Sequence, residues 1–460
     1  MSTSLLIGNG FAILASAVEL ASKGQHVTLL SDGKTLGGHF AGLQLEGLDF
    51  DIGMVLLEEC RTTAFGASLQ SYDPTIRNDW TRFGDRASTW IRSKVDLIRA
   101  QTPECMIHGR LTADYLIANR LDVFIGTERP LPLPRSDPRH ASHKCKSGVF
   151  DTLTYAEAAI VNHGQELHQI YIEPFVQKVL GVNSADFLAR FHRAGWVPLY
   201  YPETLHLAAM GQSTGLAEYP FWTTTNGFVG QLIRNIRNSL SQLPNVTFND
   251  QPLTSVSCRN NVWTIATADN QLYQSRNLAI GMPSERISNL LGVPFKEQLL
   301  GSSVSVLFAT VNAEHIRTSH RCTMIVDDGY AAYRLTDHDA VAGLSPSWHR
   351  IVIEASPQRI SRLYPGKTVE SALLEELARL LGMDISDVND KNAIRFLRCF
   401  TAQNSLPIPT AEQVDQASQM ASLLAMAAPG AVLTGSLLGF GVASLNDQLI
   451  QALKISEEFV

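Results

Sequence analysis

The chain opens on the stretch whose reading decides the fold: Ser4-Leu5-Leu6-Ile7-Gly8-Asn9-Gly10, then residues 11–23, then His26-Val27-Thr28-Leu29-Leu30. An apolar run stops at two glycines. Ala, Leu and Val then recur at helical spacing as far as Gly24, and a second short apolar run follows. This is a strand–turn–helix–strand unit that begins with Gly-x-Gly. Gly8 permits a tight turn, and Gly10 lets a pyrophosphate approach the backbone. The helix then turns its first amides, at Phe11 and Ala12, toward that anion. The spacing predicts a dinucleotide site. Two positions depart from the usual pattern: Ile13 replaces the third glycine, and the acid expected after the second strand falls on Ser31, with Asp32 one place later.

Composition sets the outer bounds. At ~150 residues per domain, 460 residues hold two or three domains' worth of chain. Hydrophobic residues at 45% and charged residues at 18% fit a packed globular protein and exclude a disordered one. Lys plus Arg is 37 against Asp plus Glu 44, a formal net charge of -7, so no basic excess exists to hold nucleic acid. The six cysteines (Cys60, Cys105, Cys145, Cys258, Cys322, Cys399) form no Cys-x-x-Cys pair. That argues against a metal cluster or disulfide framework and for a reducing compartment. The start, Met-Ser-Thr-Ser, has no basic leader, and the expected location is cytoplasmic. Residues 421–444 are uncharged, but Pro429-Gly430, Gly435, Gly439 and Gly441 would break a spanning helix. That stretch reads as a buried strand followed by a Gly-rich loop. It leaves no membrane span, with peripheral contact open.

Two further motifs follow: Leu36-Gly37-Gly38-His39-Phe40 and Gly47-Leu48-Asp49-Phe50-Asp51-Ile52-Gly53. With them the sequence resembles the superfamily of flavin-dependent amine oxidases, protoporphyrinogen oxidases and UDP-galactopyranose mutases. The resemblance implies an α/β protein: a Rossmann-type FAD-binding domain with an inserted α+β substrate domain. It implies FAD binding by residues 1–70, 225–290 and 400–460, and substrate binding by 71–224 and 291–399. In the family the paired glycines, here Gly37 and Gly38, pass the ribityl–pyrophosphate; His39 stands where arginine is common. Backbone at Val256 would pass the adenine. The closing strand and loop would meet the flavin ring through Gly435, Ser436, Gly441 and Val442, ahead of a helix over 444–459. Ser436 stands where an acid or Asn is usual.

The implied cofactor is noncovalent FAD, and the implied activity is hydride transfer from a small organic substrate to flavin N5. The lysine that amine oxidases carry near N5 matches Ser305 here, which demotes simple amine oxidation. The alternative is a redox-neutral sugar-nucleotide mutase. That chemistry would draw on Tyr333 and Arg334, with Tyr330, Arg350 and Glu354 nearby. The replaced contacts at Ile13, Ser31 and Ser436 motivate a third class, a flavin-free binding protein. Three other features read as structural. Gly211-Gln212-Ser213-Thr214-Gly215 matches a hydrolase nucleophile pattern, but no β-branched strand precedes it and Pro220 soon follows. The Pro-rich residues 127–147 are a surface connection or a cover over the substrate entrance. Cys399 reads as a buried free thiol rather than a flavin link.

Overall fold

A computed structural model describes residues 3–58, 74–112, 152–195, 221–294, 300–441 and 444–459. The Pro-rich segment, the Gly211–Gly215 pattern, Cys60, Cys145 and Val442 lie outside the described residues.

The opening unit forms as read: β1 (Thr3–Gly8), α1 (Phe11–Ser22) and β2 (His26–Leu30). β1 is the centre of a five-stranded parallel sheet. Its order is Val246–Asn249, β2, β1, Asn277–Gly281, Val432–Leu433. A central parallel strand must bury both faces, and this one does so by alternation. Leu6 packs with α1 and the last helix, Leu445–Glu458, whereas Leu5 and Ile7 pack with Trp263 and Ile265. Those two belong to an antiparallel three-stranded sheet, Leu253–Arg259, Val262–Thr267 and Leu272–Ser275.

A second sheet has seven strands in the order Ile394–Pro407, Gly301–Asn312, Trp348–Ala355, Ala332–Asp337, Cys322–Ile325, Glu104–Ile107, Arg110–Thr112. Gly301–Asn312 alternates strictly. Val304, Val306 and Phe308 face one apolar cluster, with Phe50, Met54 and Tyr333, while Leu307, Ala309 and Val311 face another, under the helix Val369–Leu380. The segment 51–58 joins the two halves of the molecule. Its Val55 and Leu57 pack with Phe11 and Phe40, and its Met54 and Leu56 pack with Tyr333.

Some boundaries differ from the sequence reading. The strand Ile394–Pro407 runs through the expected division at residue 400 and belongs wholly to the seven-stranded sheet. The helix Pro74–Arg92 opens the region 71–224 expected to bind substrate. Its Trp80, Phe83, Trp90 and Ile91 recur at helical spacing and join the cluster around α1, so this helix packs with the first sheet. The uncharged stretch near 421 is the end of a helix, Ala411–Ala427, rather than a buried strand; only the short Val432–Leu433 is strand. No helix among the described residues is long and apolar enough to cross a membrane.

Candidate functional site

The two glycine turns face each other, and each contains one glycine required by packing and one that borders open space. At Gly8, φ is +126°, and a Cβ would lie 2.0 Å from the Gly281 carbonyl oxygen. At Gly10 the backbone is extended, and a Cβ would meet only Gln448 Oε1, at 3.8 Å. In the second turn a Cβ on Gly37 would overlap Ile233 at 2.3 Å, whereas one on Gly38 would touch only Gly10 Cα, at 4.0 Å. The turns are tied together by Gly37 N–H donating to the Asn9 carbonyl at 2.7 Å. Gly435, with φ +67°, also borders open space. Ile13 fits without the third glycine because Gly281 makes the room: a Cβ there would sit 2.5 Å from Ile13 Cγ1.

The start of α1 has no side-chain cap of its own. Its N-cap is Gly10, and no acidic residue lies in its first turn. Among the described residues it meets Gln448, whose Oε1 accepts from Ala12 N–H at 3.3 Å. A turn later on the same helix, Gln451 Oε1 accepts from Thr434 Oγ1 at 2.6 Å and from Gly435 N–H at 2.9 Å. The two glutamines set the α1 start and the Gly435 turn side by side. Sequence reading missed both; their three-residue spacing on one helix face was the available signal.

At the far end of β2, of the two expected ribose contacts, Asp32 is engaged elsewhere and Ser31 is buried. Asp32, at φ +55°, accepts from Leu253 N–H at 2.7 Å and takes a two-pronged bond from Arg286 at 2.8 Å. Burial works against its charge, but those hydrogen bonds outweigh it and hold the carboxyl below its usual range. Ser31 is buried, and its Oγ has no hydrogen-bond partner. Val256 directs its side chain into the cluster with Leu5 and Ile7, so only main chain is on offer there. Arg286, which no motif flagged, is the residue that removes Asp32 from the ribose position.

His39 combines two properties. It lies deep in the protein mass, which pushes its pKa down to about 4, yet its side chain is exposed. It therefore lines an opening rather than filling a packed core. Its ring leans on Phe40, centroids 3.8 Å apart, and Phe40 packs edge-on against Phe11 at 6.4 Å.

The closing loop is a 3₁₀ segment, Gly435–Gly441, in which Ser436 is exposed. The helix after it is fully capped: Ser444 Oγ accepts from Asp447 N–H, and the Asp447 carboxylate accepts from Ser444 N–H at 2.8 Å and from Trp80 Nε1 at 2.6 Å. Asp447 is thus a helix-start residue.

The candidate catalytic pair lies in the seven-stranded sheet. Arg334 and Glu354 form a buried two-pronged ion pair at 2.5 and 2.6 Å. The Glu354 carboxylate occupies the space beside Gly53, where a Cβ would lie 2.6 Å from it. Arg334 is therefore neutralised internally rather than presented to an anion. Tyr333 is buried, and its hydroxyl has no hydrogen-bond partner among the described residues. Burial raises its pKa well above the usual value; the nearby Glu354 charge adds to that without hydrogen-bonding geometry. Ser305 shares a hydrogen bond with Thr401 at 2.8 Å. Arg350 is spent on Asp339 and the Asp49 and Asn226 carbonyls. Tyr330 lies under the Arg379 guanidinium, 4.4 Å away. Cys399 is a half-buried free thiol, pushed up to about 11 by burial. No group of metal-ligating side chains occurs among the described residues.

Comparison of the sequence with family models and with curated proteins finds no match. Solved structures do match. A reduced UDP-galactopyranose mutase superposes with a TM-score of 0.67 at 15% identity, covering 100% of this chain and 95% of that one. A candidate protoporphyrinogen oxidase from Exiguobacterium sp. 255-15 gives 0.61 at 16%, covering 100% and 98%. Wild-type putrescine oxidase bound to putrescine gives 0.57 at 12%, covering 100% and 98%. The chain shares the fold of these solved structures over nearly their whole length.

Proposed function

We propose that the protein is an FAD-dependent oxidoreductase that takes hydride from a small organic substrate, with FAD held noncovalently. One observation carries this reading: Gly10, Gly38 and Gly435 all border open space beside a helix start that lacks its own cap. Such a cradle suits an anion with a flat ring beyond it. The amides of Phe11 and Ala12 would hold the pyrophosphate, with Gly37, Gly38 and His39 opposite. Gly435, Ser436, Gly441 and Val442 would stand at the ring end. Asp32 is tied to Arg286 and Ser31 is buried, so the adenosine would rest on main chain near Val256. Bound there, FAD supplies a hydride acceptor in its flavin ring.

The chain's own groups would then shape the substrate end. Tyr333, whose buried hydroxyl has no hydrogen-bond partner among the described residues, is the residue assigned to the substrate end. Arg334, neutralised by Glu354, would set the position of that ring, lying 5.7 Å from its centroid. Ser305 carries no ammonium and is bonded to Thr401, which supports a substrate other than a simple amine.

The purified protein should show flavin absorption, and acid precipitation should release all the colour. Aerobic turnover of a candidate substrate with peroxide release would support the oxidoreductase. Turnover only after dithionite reduction, with no net redox change, would move the assignment to a sugar-nucleotide mutase. Absence of flavin bands after incubation with FAD would leave the flavin-free binding protein.

A further inference from the structure

The His39 ring makes no side-chain hydrogen bond among the described residues; it rests only on Phe40. It sits on the left-handed Gly37–Gly38 turn, which meets Gly10, and through Phe40 it stands beside Phe11, the first residue of α1. A helix start carries about half a positive charge, so a second cation is disfavoured there until an anion arrives. The charged groups on the surrounding elements are already engaged. Arg234 of Gly230–Ser241 pairs with Asp49, Asp447 of the last helix holds Ser444 N–H and Trp80, and Asp32 holds Arg286. The first turn of α1 has no acid, and Lys34 on the intervening turn is exposed. None of them acts on the ring, which is shifted by burial alone.

We propose that cofactor binding is proton-linked at His39: the ring takes one proton from solvent as a diphosphate seats at Gly10. The imidazolium then supplies the charge that a permanently cationic residue would otherwise provide. No covalent bond forms and no electron moves. This inference rests on the FAD reading above. Its thermodynamic consequence follows from linkage. A neutral ring that is protonated only in the complex makes binding tighten as pH falls, by up to about tenfold per unit between the complexed and free values.

The test is titration of flavin-stripped, full-length protein with FAD from pH 8 to pH 5.5, by fluorescence and by calorimetry in buffers of different ionisation heat. The wild type should bind more tightly at low pH and take up protons. His39→Gln should bind with a flat profile and no proton uptake. His39→Arg should restore tight binding with a flat profile, because its charge does not titrate. FAD bound with the same Kd at every pH, or a pH slope retained in His39→Gln, would overturn this inference and leave the FAD site standing. A wild type that binds no FAD at any pH would overturn both.

Discussion

The ends of the two sheets handle polar groups in opposite ways. At the carboxyl end of the parallel sheet, side chains are withheld: Gly10, Gly38 and Gly435 leave space, and the helix start is capped only from a distance by Gln448. In the seven-stranded sheet the charges are present but cancelled in place, as in Arg334 with Glu354 and Arg350 with Asp339. The first arrangement is the one to which the proposed FAD is assigned. The second is complete by itself, apart from the Tyr333 hydroxyl. Unmet polar groups and empty space therefore mark the ligand site better than charge does.

The largest expected effect separates the two glycines of a single turn. Gly8→Val places a Cβ against the Gly281 backbone at a φ that L-residues avoid. Overpacking and strain together should cost about 2–6 kcal/mol, and soluble folded protein should be lost on expression. Next is Glu354→Gln, which leaves the Arg334 guanidinium buried without its counter-charge. A loss of about 3–5 kcal/mol is expected in urea unfolding; a loss below about 1 kcal/mol would mean that water reaches the pair.

Asp51→Ala comes third. This buried carboxylate accepts from Val229 and Gly230 N–H at 2.8 and 2.9 Å, at the start of the helix Gly230–Ser241. Two orphaned donors should cost about 1–3 kcal/mol, with Asp51→Asn losing less because one oxygen remains. The smallest effect concerns His349, whose hydrogen bond to Asp337 at 2.7 Å raises its pKa. A raised folded value makes this contribution full below about pH 6.5 and lost as pH climbs through the folded value. The Tm difference between wild type and His349→Gln should shrink toward zero on that alkaline side. A difference that grows with pH would reverse the sign of the argument.

What could be read in the sequence was local. Strand, turn and helix follow one another within thirty residues at β1, α1 and β2, so periodicity and two glycines sufficed. The long-range pairs were not legible. Arg286 meets Asp32 across 254 positions, and Gln448 meets Ala12 across 436, and no local pattern signals either. The Ala411–Ala427 helix was misread because it lacks charge after Asp415 and buries few residues, so neither amphipathic spacing nor polarity announced it. Arg334 looked like an anion ligand until its strand partner placed Glu354 across from it.

Gly10→Val tests the central claim most directly, because a Cβ there meets only Gln448 Oε1, at 3.8 Å, and the proposed pyrophosphate needs the same room. Flavin stoichiometry and the Tm of the stripped protein should be measured together. The account predicts a Tm within about 1 °C of the stripped wild type, given a ΔΔG of no more than a few tenths of a kcal/mol, and no bound FAD. Full flavin content in a normally folded Gly10→Val protein would contradict it.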